Sequence, residues 1–262
     1  MNPSPASVRL RAPGEPRVLG VLGGMGPLAT ARFYDAVVRA TPAGHDQGHI
    51  PTVIWSDPRI PDRTAAILAG GPSPVPAMVD GARKLETAGA EILAIPCNTA
   101  HAFLPELRAS TRLVWIDMVG ETLDLVARSG AERVGVLGTR GTRAAALYDA
   151  AASRRGLRVM YPSDCDQSRL IDEAIGLVKS GRRLSLAEDR VASAASRLHR
   201  GGADVLVAAC TELPLVLGPA SLLTTVVDSL ECLASACVRA CLTYVAGGDS
   251  DRDDEEVASA IL

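Results

Sequence analysis

The chain repeats itself, and this constrains its architecture more than any single motif does. The segment GVLGGMGPLATARFYDAVV, starting at Gly20, matches GVLGTRGTRAAALYDAAAS, starting at Gly135, with one residue of slippage before Tyr34-Asp35 and Tyr148-Asp149. Each copy reads as a strand, a glycine turn and a helix. A second pair, KLETAGAEILAIPCNTA from Lys84 and RLHRGGADVLVAACTEL from Arg197, aligns without a gap and sets Cys97 opposite Cys210. LVWID, ending at Asp117, and TVVD, ending at Asp228, form a weaker third pair in the same order. Two similar units therefore stand in one chain.

The apolar runs RVLGVLG, TVIWS, EILAIP, LVWID, RVGVLG, LRVMYP, DVLVAA and TVVD alternate with Ala- and Arg-rich stretches of helical period. That alternation is the mark of a parallel sheet with helices packed on it. The expected fold class is α/β: two pseudo-twofold-related parallel-sheet domains with the active site in the cleft between them. The expected boundaries are 18–118 plus about 229–246 for the first domain and 119–228 for the second. Residues 1–17 and 247–262 have the Pro-, Ser- and Arg-rich or acidic composition of disordered tails.

Composition excludes several classes of partner. The net charge of −3 is spread over mixed signs and only 3% of residues are aromatic, so neither a basic stripe nor a stacking platform for nucleic acid is present. No run approaches the roughly 18 apolar residues of a membrane helix. The opening MNPSPASVRLRAPGEPR has no apolar signal-peptide core, so a cytoplasmic location is expected. The six cysteines contain no C-x-x-C pair, and neither disulfides nor a metal site is expected. Cys232, Cys237 and Cys241 read as the core-facing side of one helix.

Cys97 and Cys210 are different, because each ends an apolar strand. In open α/β sheets the crevice at the carboxyl ends of strands is where ligands bind. A duplication alone would also leave a buried cysteine in both copies, but Asn98, Thr99 and Thr211 place hydrogen-bonding groups beside both thiols. If the halves face one another, the two sulfurs approach one crevice from opposite sides. A thiolate can then remove a proton from one face of a carbon while a thiol returns one to the other, inverting a stereocentre. The implied ligand is a small α-substituted acid whose carboxylate is held by these donors.

Five motifs in order, GVLGGMGPLAT (20–30), DPRIPDRT (57–64), PCNTAH (96–101), GVLGTRGT (135–142) and CTELPLVL (210–217), resemble the aspartate/glutamate racemase superfamily, and its aspartate racemase branch in particular. The resemblance covers roughly residues 18–240. It implies a cofactor-independent racemase with Cys97 and Cys210 as the acid/base pair. It further implies that Asn98, Thr99 and Thr211, with the Gly24-Met25-Gly26 turn, hold the α-carboxylate and amino group. Arg63 and Lys179 are implied to meet the side-chain carboxylate. From the residues alone, Arg63 reads equally as a solvated loop arginine or a local backbone cap. Glu212 follows the second Cys-Thr, as in aspartate racemases, where glutamate racemases usually carry His; this tilts the substrate toward aspartate. A homodimer is expected from the resemblance only.

Other functions fit less well. Gly24 to Ala29 is formally G-x-G-x-x-A, but Pro27, the repeat of the turn and the lack of a strand-ending acid about 20 residues on argue against a dinucleotide site. Two lysines, Lys84 and Lys179, neither in a phosphate-binding context, leave little room for a pyridoxal Schiff base. Glutamate or broad acidic amino-acid racemases, hydantoin racemases, maleate isomerases, arylmalonate decarboxylases and a silent amino-acid binder share or imitate the pattern. His101 reads as a structural hydrogen-bonder near the site.

Overall fold

The computed structural model describes residues 15–218 and 224–243. The expected tails fall mostly outside these residues; Arg17, within them, donates its backbone N–H to Cys241 O at 2.9 Å. The first unit runs β1 (Leu19–Gly23), α1 (Pro27–Ala40), β2 (Thr52–Ser56), α2 (Arg63–Ala69), α3 (Val75–Thr87), β3 (Ile92–Ala94), α4 (Leu104–Ser110), β4 (Val114–Trp115) and α5 (Met118–Arg128). The second runs β5 (Arg133–Gly138), α6 (Arg140–Ala144), α7 (Leu147–Ser153), β6 (Arg158–Met160), α8 (Asp164–Asp166), α9 (Glu173–Lys179), α10 (Leu184–Arg200), β7 (Val205–Ala209), β8 (Val226–Asp228) and α11 (Ser229–Leu242). Every strand lies in one of the eight expected apolar runs.

The strands form two parallel four-stranded sheets, ordered β2-β1-β3-β4 and β6-β5-β7-β8. The same order in both is the structural counterpart of the repeat. The central strands β1, β5 and β7 are buried almost throughout, which is why they read as continuous apolar runs rather than alternating ones. The sequence's third pair has a structural reason too. Asp117 caps α5 by accepting from Val119 N and Gly120 N, and Asp228 caps α11 by accepting from Leu230 N.

Helix α11 joins the first sheet's core: Leu230, Leu233, Cys237, Val238 and Cys241 cluster with Leu19, Val21, Phe33 and Ile92. Each buried Leu or Val there contributes about 1.5–3 kcal/mol of apolar transfer. The packing role expected of Cys237 and Cys241 is thus met.

The α11 cap also carries a pH-dependent cost. Burial lifts the Asp228 carboxyl from 3.8 to about 6, against the lowering effect of the Leu230 N–H and Arg32. The folded state therefore holds a proton that the unfolded chain has released, so stability falls as pH rises from about 4 through about 6. Asn caps as well as Asp and carries no charge. Asp228→Asn is expected to raise the melting temperature near pH 7.5, by up to about 3 kcal/mol of stability, and to leave it almost unchanged near pH 4. Thermal melts at the two pH values check this; an equal shift at both would contradict it.

Candidate active site

The two sheets present their carboxyl ends to a shared chamber. It is lined from the first unit by Met25, Asp62, Arg63, Thr64, Cys97, Asn98 and Thr99, and from the second by Thr139, Lys179, Ala209, Cys210, Thr211 and Glu212. Both thiols therefore border one space. The free volume is about 20 Å³, room for a water or two. An outer groove of about 420 Å³ adjoins the chamber and shares Met25, Asp62, Arg63, Lys179 and Glu212 with it.

Close approach of the halves depends on Gly141, in the repeated glycine turn. A Cβ there would stand 2.8 Å from Thr64 Oγ1 and 2.8 Å from Thr99 Cγ2. Gly24, at φ +89°, would put a Cβ 2.4 Å from the Asp57 backbone, so that turn also admits only glycine.

Cys97 follows β3 and is buried. Its carbonyl is held 2.9 Å from His101 Nδ1, while the Met118 N–H donates to His101 Nε2 at 3.1 Å. Nε2 must then be the acceptor, which leaves the proton on Nδ1 to donate to Cys97 O. Burial pushes the His101 pKa down. A neutral histidine thus anchors the Cys97 backbone, the structural role read from the sequence.

Asn98 is held from two elements. Tyr148 OH on α7 donates to Asn98 Oδ1 at 2.6 Å, and Asn98 Nδ2 donates to Ser229 Oγ at 2.9 Å. Ser229 Oγ in turn donates to Ala208 O at 2.7 Å. Thr99 Oγ1 lies 2.8 Å from Thr139 Oγ1 and 3.0 Å from Thr142 Oγ1, so three hydroxyls interlock across the cleft. Sequence reasoning missed Thr139, Tyr148 and Ser229 as site residues. Thr139 and Tyr148 both lie in the repeated turn-helix segment, and that was the available signal.

Cys210 differs from its counterpart. Its thiol donates to Glu212 Oε2 at 3.0 Å, and Thr211 Oγ1 donates to the same oxygen at 3.3 Å. Burial, then the Glu212 charge, pushes the Cys210 pKa well up, against a lowering by Lys179. Cys210 does not stand at the start of a regular α-helix. Only the short 3-10 turn Leu213–Val216 follows, and a carboxylate faces the sulfur instead.

Arg63 is the first residue of α2 and is 9% exposed, so the solvated-loop alternative is excluded. Nη1 donates to Ile60 O at 3.1 Å and Pro61 O at 3.0 Å, and Nη2 donates to Met25 O at 3.3 Å. These three carbonyls leave Nε–H and the second Nη2 hydrogen unused, and Nε is buried without a partner. Nε and Nη2 flank one edge of the guanidinium, the fork that accepts a carboxylate side-on. No carboxylate of a described residue pairs with Arg63 or with Lys179. Gly24 and Gly26 line only the outer groove, and the Gly24 N–H is already given to Thr30 Oγ1 at 2.9 Å. Of that turn, Met25 alone reaches the chamber.

Among the described residues no cluster of His, Cys, Asp or Glu is arranged to hold a metal ion. No helix among them is long and apolar enough to cross a membrane.

A chamber walled by paired α/β units thus carries a cysteine from each. The Asp/Glu/Hydantoin racemase family matches residues 22–237, and the chain belongs to that family. It is an amino-acid racemase. The chain is 28% identical to the broad specificity amino-acid racemase RacX of Bacillus subtilis (strain 168) over 235 residues, 87% of this chain and 99% of that one. A glutamate racemase of Deinococcus radiodurans is 33% identical over 180 residues, 66% of this chain and 54% of its own length. Among solved structures, Picrophilus torridus aspartate racemase superposes with a TM-score of 0.77 at 29% identity, over 86% of this chain and 94% of that one.

Proposed function

We propose that this racemase interconverts L- and D-aspartate by proton transfer between Cys97, the substrate α-carbon and Cys210. The observation that carries the substrate is the Arg63 fork. It is a buried cation with two unused donors, clamped by three carbonyls in a chamber that also holds both thiols. A clamped guanidinium fixes the distance from side-chain carboxylate to α-carbon, and so selects one chain length. The Glu212 position favours the shorter acid. Lys179 adds a second positive charge, while Glu212 supplies a negative one for the substrate ammonium group.

In the arrangement seen, Cys210 is the protonated partner and hence the acid. Cys97 as thiolate takes the α-proton, breaking C–H and forming S–H. The negative charge spreads into the α-carboxylate, which the Asn98 amide and the Thr99 and Thr139 hydroxyls face. Cys210 then delivers its proton to the opposite face. In the reverse direction Cys210 must first lose that proton, and Glu212 Oε2 is the acceptor in reach. Glu212 also borders the outer groove, which gives the exchanged proton a route to water.

Broad specificity is the second reading, favoured by the near full-length match to RacX. Chiral chromatography of L- and D-aspartate, L- and D-glutamate and L-alanine after incubation with purified protein separates the two. Aspartate alone is expected to racemise quickly; comparable rates with alanine would overturn the proposal in favour of the second reading.

A further inference from the structure

We infer that Tyr148 and Ser229, which touch no substrate, are positioning residues that fix the orientation of the Asn98 amide and thereby its ability to stabilise the carbanion; this rests on the two-thiol reading above. The orientation follows from a proton count. Ser229 Oγ has one hydrogen, given to Ala208 O at 2.7 Å, so toward Asn98 it can only accept. Asn98 must therefore turn Nδ2 to Ser229, at 2.9 Å, and Oδ1 to Tyr148. Tyr148 can only donate there, over 2.6 Å, and burial raises its pKa well above the usual phenol value, so it keeps the proton.

Asn98 has two amide hydrogens. One goes to Ser229, and the second is left for the chamber that Asn98 lines together with both cysteines. A neutral N–H aimed where carboxylate charge grows is worth most when its geometry is set in advance. Without the Tyr148 hydroxyl Oδ1 loses its donor, and a turn of the Ser229 hydrogen from Ala208 O to Asn98 then lets the amide present Oδ1 to the same carboxylate. An attraction then becomes a repulsion.

The three partners come from three elements: Asn98 follows β3 in the first unit, Tyr148 sits on α7 in the second, and Ser229 opens α11 after β8. The amide is therefore in register only when the two units are together. The repeat provides an internal control. Tyr34, which the repeat sets against Tyr148 only with one residue of slippage, lies on α1 and is 43% exposed, whereas Tyr148 is fully buried.

The test is a double-mutant cycle of Tyr148→Phe and Asn98→Ala, with Ser229→Ala as a second probe of the same amide and Tyr34→Phe as control. It is run on aspartate, or on the amino acid the wild type turns over fastest, so that a wrong substrate assignment leaves the cycle readable. Tyr148→Phe is expected to lower kcat by about 10- to 100-fold with little change in KM, the usual effect of losing an outer hydrogen-bond partner. In the Asn98→Ala background the same change is expected to cost less than about 2-fold, because linked residues are not additive. Ser229→Ala is expected to behave likewise, and Tyr34→Phe to match the wild type. Full additivity of Tyr148→Phe and Asn98→Ala, or a kcat unchanged in both Tyr148→Phe and Ser229→Ala, would overturn the assignment. A melting temperature that falls while kcat per folded molecule holds would reduce Tyr148 to a packing role and overturn it too.

Discussion

Replacing Cys97 or Cys210 by Ala is expected to abolish racemisation, with kcat/KM falling by about 10²–10⁴-fold or more, the range carried by a positioned proton donor or acceptor. The equilibrium constant between two enantiomers is unity, so kcat/KM must fall equally in both directions for either variant. The difference between the cysteines shows elsewhere. Each variant keeps one thiol, and that thiol can still exchange the α-proton of the enantiomer it faces without inverting it. The two variants should therefore wash out isotope from opposite enantiomers. Because Cys210 is held protonated by burial and faces Glu212, exchange through it alone should depend on residue 212. A Cys97→Ala protein that racemises at the wild-type rate would contradict the two-base assignment.

Arg63→Ala is expected to give the largest loss of binding. The guanidinium holds two donors in reserve, and a hydrogen bond to a charged group is worth about 1.5–3 kcal/mol. Their removal should lower kcat/KM for aspartate by roughly 100-fold or more, mainly through KM, the pattern of an interaction made equally in ground and transition states. Arg63→Lys should recover part of this, because it restores charge without the fork. Steady-state kinetics with aspartate and with a neutral amino acid check the origin of the loss. A selective loss for aspartate is expected; an equal loss for both would mean that Arg63 acts by holding the Ile60, Pro61 and Met25 carbonyls rather than by binding a carboxylate.

The repeat carried most of the architecture. Strand runs, their order and the placing of Cys97 opposite Cys210 were legible because a parallel sheet buried on both faces leaves continuous apolar runs that duplication copies faithfully. The Asp117 and Asp228 match was legible as pattern but not as cause until both appeared as helix caps. The asymmetries were hidden. Tyr34 and Tyr148 align in sequence with one residue of slippage, yet on α1 it is the neighbouring Phe33 that is buried, and only Tyr148 meets the other unit's Asn98. Arg63 follows a Pro-Asp turn, the local mark of an exposed loop, and its burial depends on Met25, 38 residues away in sequence. Gly24 and Gly26 aligned with the family's glycine turn, but their peptides serve the turn itself and the outer groove. The upward shift of the Cys210 pKa was not legible either, because burial is its largest cause.

The most direct test of two-thiol proton transfer is the fate of the α-hydrogen. Purified protein, with no cofactor added, is incubated in D2O with L-aspartate and separately with D-aspartate, and Cα deuteration is followed by proton NMR alongside the enantiomer ratio. Deuterium should enter the opposite enantiomer as it forms, from both starting materials, and Cys97→Ala with Cys210→Ala combined should stop all exchange. Racemisation with full retention of the original α-hydrogen, or exchange that survives loss of both cysteines, would contradict the mechanism.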